Sequence, residues 1–203
     1  LNFAFNRLSP LGQMSVLQER ALGFAPNVVL LIAHPVDVDW TVDDLSQCLR
    51  KGIPLTPGFL AQTLDQDQIT IRTHPAVAAK RLRPRGGALV GWSYRSIAAR
   101  CRAAGALPVL AFVPLPEDEP LDPRGREQLA LAAQAGFATI DLARVFDGHE
   151  PGALLQGDYL PHMNPLAHAL VADALYRRLN TEPRIDLQGR AVSLAPMGAA
   201  DRR

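Results

Sequence analysis

An aspartate and a histidine four residues apart, Asp158 and His162, stand on a turn leading straight into an apolar-periodic helix. In that placement a carboxylate can meet an imidazole, fix its tautomer and steady the imidazolium, which makes the histidine a usable general base. Asp158 and Asn164 equally suit turn and capping roles around a surface histidine, so spacing alone leaves both readings open. Asp141, at the end of a strand-like run, is a second acid for the histidine, with a loop cap as its plain role. His34 directly follows the run Val28–Ala33, where a loop histidine is the plain reading. His34, His74 and His149 show no metal-ligand spacing of the His-Glu-x-x-His kind. Cys48 and Cys101 lie too far apart for a zinc site or a disulfide framework. No metal or other cofactor is expected. Arg81, Arg83 and Arg85 before Gly86-Gly87 lack the lysine-serine end and the preceding strand of a phosphate loop, so a solvated basic loop is expected there. Trp40, Trp92 and Tyr94 are either pocket walls or partial core.

These residues need a scaffold, and the composition supplies one. The 203 residues are 48% hydrophobic and 20% charged, enough for the core of one domain. Twenty-one basic against 20 acidic residues leave a net charge of +1, which argues against a nucleic-acid partner or a polybasic membrane surface. The apolar run Val28–Ala33 is far short of the ~20 residues a spanning helix needs. The chain opens at Leu1 without a leader pattern and reads as a fragment or processed product, which leaves localisation unassigned.

Strand and helix patterns alternate along most of the chain. Strands are predicted at 1–5, 28–33, 108–113 and 137–142, as apolar runs of the kind buried on both faces of a parallel sheet. Helices are predicted at 10–23, 41–49 with Thr41 as N-cap, 90–104 ending at Gly105, 122–135 with Asp122 as N-cap, and 164–179. Residues 51–89, with four prolines and a Gly-Gly pair, show no sustained period. An excursion outside the sheet is expected at about 38–89, and a flexible tail at 183–203 after a domain of residues 1–182. The fold class is α/β with a parallel sheet covered on both faces, and ligands are expected beyond the carboxyl ends of its strands.

The block Asp158…His162-Met163-Asn164-Pro165…Ala167-His168 and the helix after it resemble the closing block of the SGNH/GDSL hydrolases. Residues 137–146, 95–114 and 1–33 are similar to earlier blocks of that family, so the resemblance spans most of residues 1–180 and is specific only in the last block. It implies a three-layer, flavodoxin-like fold whose first strand is missing from this chain. It also implies a Ser-His-Asp triad, with Asp158 as orienting acid and His162 as general base.

The departures are as informative. The Gly-Asp-Ser-like motif of the nucleophile occurs nowhere in the chain, so the resemblance places the serine upstream of Leu1. At the positions that hold the oxyanion, the family's glycine is replaced by the segment Ala4-Phe5-Asn6, and its asparagine by Ala33-His34-Pro35. Asn6 and His34 are the candidate oxyanion or substrate-binding residues that remain. Loss of one oxyanion donor costs ~2.7–4 kcal/mol of transition-state stabilisation, and loss of the nucleophile removes the covalent route. The implied activity is hydrolysis of a carbohydrate-, lipid- or small-molecule ester or acetyl ester, with the chain by itself inactive. A non-catalytic SGNH-like binding module and a polysaccharide O-acetyltransferase are the alternatives.

Overall fold

The computed structural model describes residues 1–4, 7–53, 58–118, 123–157 and 162–185. Three strands, β1 (Val28–Ala33), β2 (Leu107–Phe112) and β3 (Ala138–Asp141), form a parallel sheet in the order β1-β2-β3. Val28 pairs with Leu107 and Ala33 with Phe112, while Val109 pairs with Ala138 and Phe112 with Asp141. The carboxyl ends of all three strands therefore finish level with one another.

Among the described residues seven helices surround this sheet: α1 (Pro10–Glu19), α2 (Asp37–Arg50), α3 (Phe59–Gln66), α4 (Pro75–Leu82), α5 (Gly86–Ala103), α6 (Pro123–Ala135) and α7 (Pro165–Thr181). Alternation along the strands sorts the core into two layers. Leu31, Ala33, Leu110 and Phe112 point into a cluster with Leu11, Leu45, Leu89, Ile97 and Ala132, from α1, α2, α5 and α6. Leu107, Val109, Ala111, Ala138 and Ile140 point the other way, onto Val171, Ala174, Leu175 and Leu179 of α7. Helices thus cover both faces, the arrangement parallel strands require. Gly105 and Gly136, at φ 75° and 91°, end α5 and α6 in the left-handed region. In each case the next residue's N–H reaches back, Ala106 to the Cys101 carbonyl at 2.8 Å and Phe137 to that of Ala132 at 3.1 Å.

Several expectations need correcting. No strand forms over Leu1–Ala4; Leu1 is exposed, and Phe3 packs its ring against Phe24 at 5.6 Å instead of entering a ladder. β1 is consequently an edge strand in the described sheet, and Leu30 on it is 37% exposed, so this run is not buried on both faces. The second helix begins four residues early. Thr41 is not its cap but lies inside it, with its Oγ1 donating to the Asp37 carbonyl at 2.7 Å. The described residues between 51 and 89, where no sustained period is legible, hold the short α3 and α4 and the start of α5, and no strand. The proposed cap Asp122 and residues 186–203 of the tail lie outside the described residues.

Candidate functional site

The strand ends place their chemistry in two groups. The first lies where β1 and β2 finish. His34, directly after β1, brings its Nδ1 within 3.1 Å of the Val113 carbonyl, directly after β2. A carbonyl only accepts, so Nδ1 carries the proton, and the neutral ring is left with a bare Nε2. Burial pushes the imidazole below its usual range, against the opposing pull of the Val113 carbonyl and the Asp118 carboxylate. A neutral His34 therefore offers an acceptor beyond the strand end. Donation to an oxyanion requires its protonated form, which burial disfavours.

The backbone of His34 is held from both sides. Its N–H donates to Asp37 Oδ2 at 3.2 Å, and its carbonyl accepts from the Asp37 N–H at 3.1 Å and from Gln128 Nε2. Gln128, on α6, in turn accepts the Tyr94 hydroxyl of α5 at 2.9 Å, and both residues are buried. Asp37 is buried as well, and its Oδ1 meets no hydrogen-bond partner among the described residues. Burial accordingly raises its carboxyl to about 7, only partly opposed by the His34 N–H. The same burial, with the Asp37 charge nearby, pushes the Tyr94 phenol up. Reading the sequence did not single out Asp37 or Gln128, and it left Tyr94 as pocket wall or core. Asp37 carried one signal, an acid three residues beyond a histidine at a strand end.

The second group lies after β3. Asp141 ends that strand, and its Oδ1 accepts the Ala143 N–H at 2.8 Å, the loop-capping role. The chain then makes a single-turn helix at Pro151–Leu154 and a bridge that pairs Leu155 with Met163. In sequence Asp158 falls between Leu155 and Met163; it and Asn6 both lie outside the described residues. His162 lies on the returning arm. Its carbonyl accepts from the Gln156 N–H at 2.8 Å, and the next N–H but one, that of Asn164, donates to the Leu154 carbonyl at 2.8 Å. Its ring is exposed and bonds no described residue. Asn164 then caps α7: Oδ1 accepts the Ala167 N–H at 3.0 Å, and Nδ2 donates to the Ala153 carbonyl at 2.8 Å. Met163 and Val145, which follows β3, both pack against the buried cluster of Phe146, Leu154 and Ala167, which puts His162 on the side where β3 ends. His168 is exposed on α7, six residues along.

The described serines are spoken for or lie on helices. Ser9 is a buried cap accepting the Gly12 N–H at 3.3 Å, and Ser46 and Ser93 donate back to Val42 and Leu89 within their helices. Ser15 and Ser96 lie within α1 and α5, and Ser193 is outside the described residues. Among the described residues no group of three or more His, Cys, Asp or Glu could hold a metal ion, and no helix is long and apolar enough to cross a membrane. His74 instead caps α4, its Nδ1 accepting the Ala76 N–H at 3.3 Å. No family model, curated protein or solved structure matches the chain.

Proposed function

We propose that the chain carries the acid–base half of an ester or acetyl-ester hydrolase of the SGNH/GDSL type. His162 is the general base, Asp158 its orienting acid, and the fold is the three-layer flavodoxin-like arrangement of that family. The observation that carries this reading is the position of His162. It is exposed at the carboxyl end of a parallel sheet, on an arm pinned by the Leu155–Met163 bridge and by the Asn164 cap. In this reading His162 takes the proton of a serine hydroxyl as the oxygen adds to the ester carbonyl. It returns that proton to the departing alkoxide as the acyl-serine forms, and water then repeats the exchange. The nucleophile comes from outside the described residues. His34, with its unprotonated Nε2, accepts a substrate hydroxyl beside the first strand end rather than stabilising the oxyanion.

The test uses the full-length protein that contains this sequence, on p-nitrophenyl acetate and butyrate, with a fluorophosphonate probe for the serine. Hydrolysis and labelling are expected, with His162→Ala lowering kcat by ~10²–10⁴ and Asp158→Ala by less. Residues 1–203 alone are expected to turn over no faster than their His162→Ala variant. Equal, robust hydrolysis with and without His162 overturns the reading.

A second reading, a binding module without catalysis, is favoured by the serines: every described one caps a helix or lies within one, and none follows a strand directly. Full-length protein that neither labels nor hydrolyses esters but is retained on a polysaccharide column would establish it.

A further inference from the structure

A cavity of about 460 Å³ opens between α2, α4 and the segment preceding α1. Its size suits a small molecule. One wall comes from a single face of α2: Trp40, Asp43, Asp44 and Gln47 follow one another at the i, i+3, i+4 and i+7 spacing of neighbours on a helix. Pro75 at the start of α4 closes the other side. Over the Trp40 ring stands a cation supplied by the chain itself, the Arg7 guanidinium, with its carbon 6.0 Å from the ring centroid. That distance is the outer limit of a favourable cation–π contact, so the guanidinium is perched rather than seated. Arg7 makes no ion pair with a described residue, and neither do Asp43 and Asp44. The cavity thus pairs an aromatic face that already accepts a guanidinium with two uncompensated carboxylates, against one positive charge.

We propose that this cavity binds a small organic cation, a guanidinium or alkylammonium compound, whose head displaces Arg7 from Trp40 and pairs with Asp43 and Asp44. Arg7 is then a resident competitor that the ligand must push aside. The site needs no nucleophile and stands whether or not the ester-hydrolase reading does.

The signature is the sign of the Arg7 effect. Trp40 and Trp92 are the only tryptophans, and Trp92 is stacked on Phe59 at 5.8 Å, so its indole serves as an internal reference. Titration of n-butylguanidinium into the protein, followed by the two indole N–H resonances, is expected to move Trp40 alone, with a millimolar Kd. Arg7→Gly removes the competitor, and glycine accepts the φ of 56° found there. It is expected to tighten binding roughly fivefold. Asp43→Asn/Asp44→Asn is expected to weaken it about tenfold, with the thermal midpoint confirming the fold; should that pair unfold, exposed Asp43→Asn alone gives the same direction. Equal binding of n-butanol, weaker or unchanged binding to Arg7→Gly, or a Trp40 resonance unmoved at about 50 mM ligand would each overturn the proposal.

Discussion

The Tyr94 hydroxyl donates to Gln128 Oε1 at 2.9 Å across 34 residues of sequence, and through Gln128 it reaches the backbone of His34 at the end of β1. Two helices on one face of the sheet are thereby tied to the loop that presents the imidazole. Tyr94→Phe leaves Gln128 Oε1 buried without its donor, a loss expected to cost ~1–3 kcal/mol. Urea unfolding of Tyr94→Phe, Gln128→Leu and the double variant measures it. The two costs should not add, because each single change already breaks the same chain of bonds.

Asp37 makes stability depend on pH in a direction opposite to that of an ordinary carboxylate. Its carboxyl rises from 3.8 to about 7 on folding. Between those values the folded chain holds a proton that the unfolded chain has lost, so the contribution is full below 3.8 and falls away as pH climbs to 7. His34, lowered by burial, acts the other way as pH drops below 6.5. The Asp37 share is therefore isolated by difference. Asp37→Asn is expected to gain on the native protein by up to a few kcal/mol as pH rises from 4 to 8, read from denaturation midpoints across that range. A gap independent of pH would contradict the assignment.

Asn164 joins the cap of α7 to the Ala153 carbonyl, and His162 lies two residues before it. Asn164→Ala should cost ~1–2 kcal/mol as a lost cap. Asn164→Asp restores the acceptor for Ala167 but not the donor to Ala153, so it should recover only part of the thermal stability. In the full-length protein the alanine variant should lower kcat for ester hydrolysis with little change in KM, since it loosens the base rather than the substrate.

Gly125 lies in the first turn of α6 against the ring of Phe112, and a Cβ added there would come within 2.5 Å of that ring. Gly125→Ala gains helix propensity, but the overpacking should prevail and destabilise by ~1–3 kcal/mol. Calorimetry settles the sign. Pairing it with Phe112→Leu should recover part of the loss.

What the chain discloses as a string and what it withholds divide along physical lines. The run around Leu107–Phe112 declares itself because a parallel strand buried at every position must be apolar throughout, and Val28–Ala33 is as apolar although it lies at the edge of the described sheet with Leu30 exposed. The caps at Gly105, Gly136 and Asn164 are equally local and equally legible. α3 and α4 escape because each is eight residues long, too short to show a sustained period between prolines. The start of α2 is displaced because Thr41 looks like a cap, while the helix begins at the acid that receives the His34 N–H. The Tyr94–Gln128–His34 chain has no local signature at all, since its members meet only once three elements have packed. His162 was legible as a type of residue in a type of turn; the pinned arm around it is visible only in three dimensions.

Among the described residues no strand pairs with the outer margin of β1, which bears on how residues 1–203 behave when concentrated. Its sequence, VVLLIA, carries no charge and no proline, and Leu30 is partly bare. Among the described side chains Gln13 engages one backbone carbonyl of the strand, that of Ile32, at 3.4 Å. Natural sheets blunt such margins with lysines, bulges or a covering element, because exposed ladder groups on an apolar ribbon invite another chain to join in register. A lysine at position 30 would act as a gatekeeper: it should slow time-dependent turbidity in stored samples while leaving the unfolding midpoint nearly where it was.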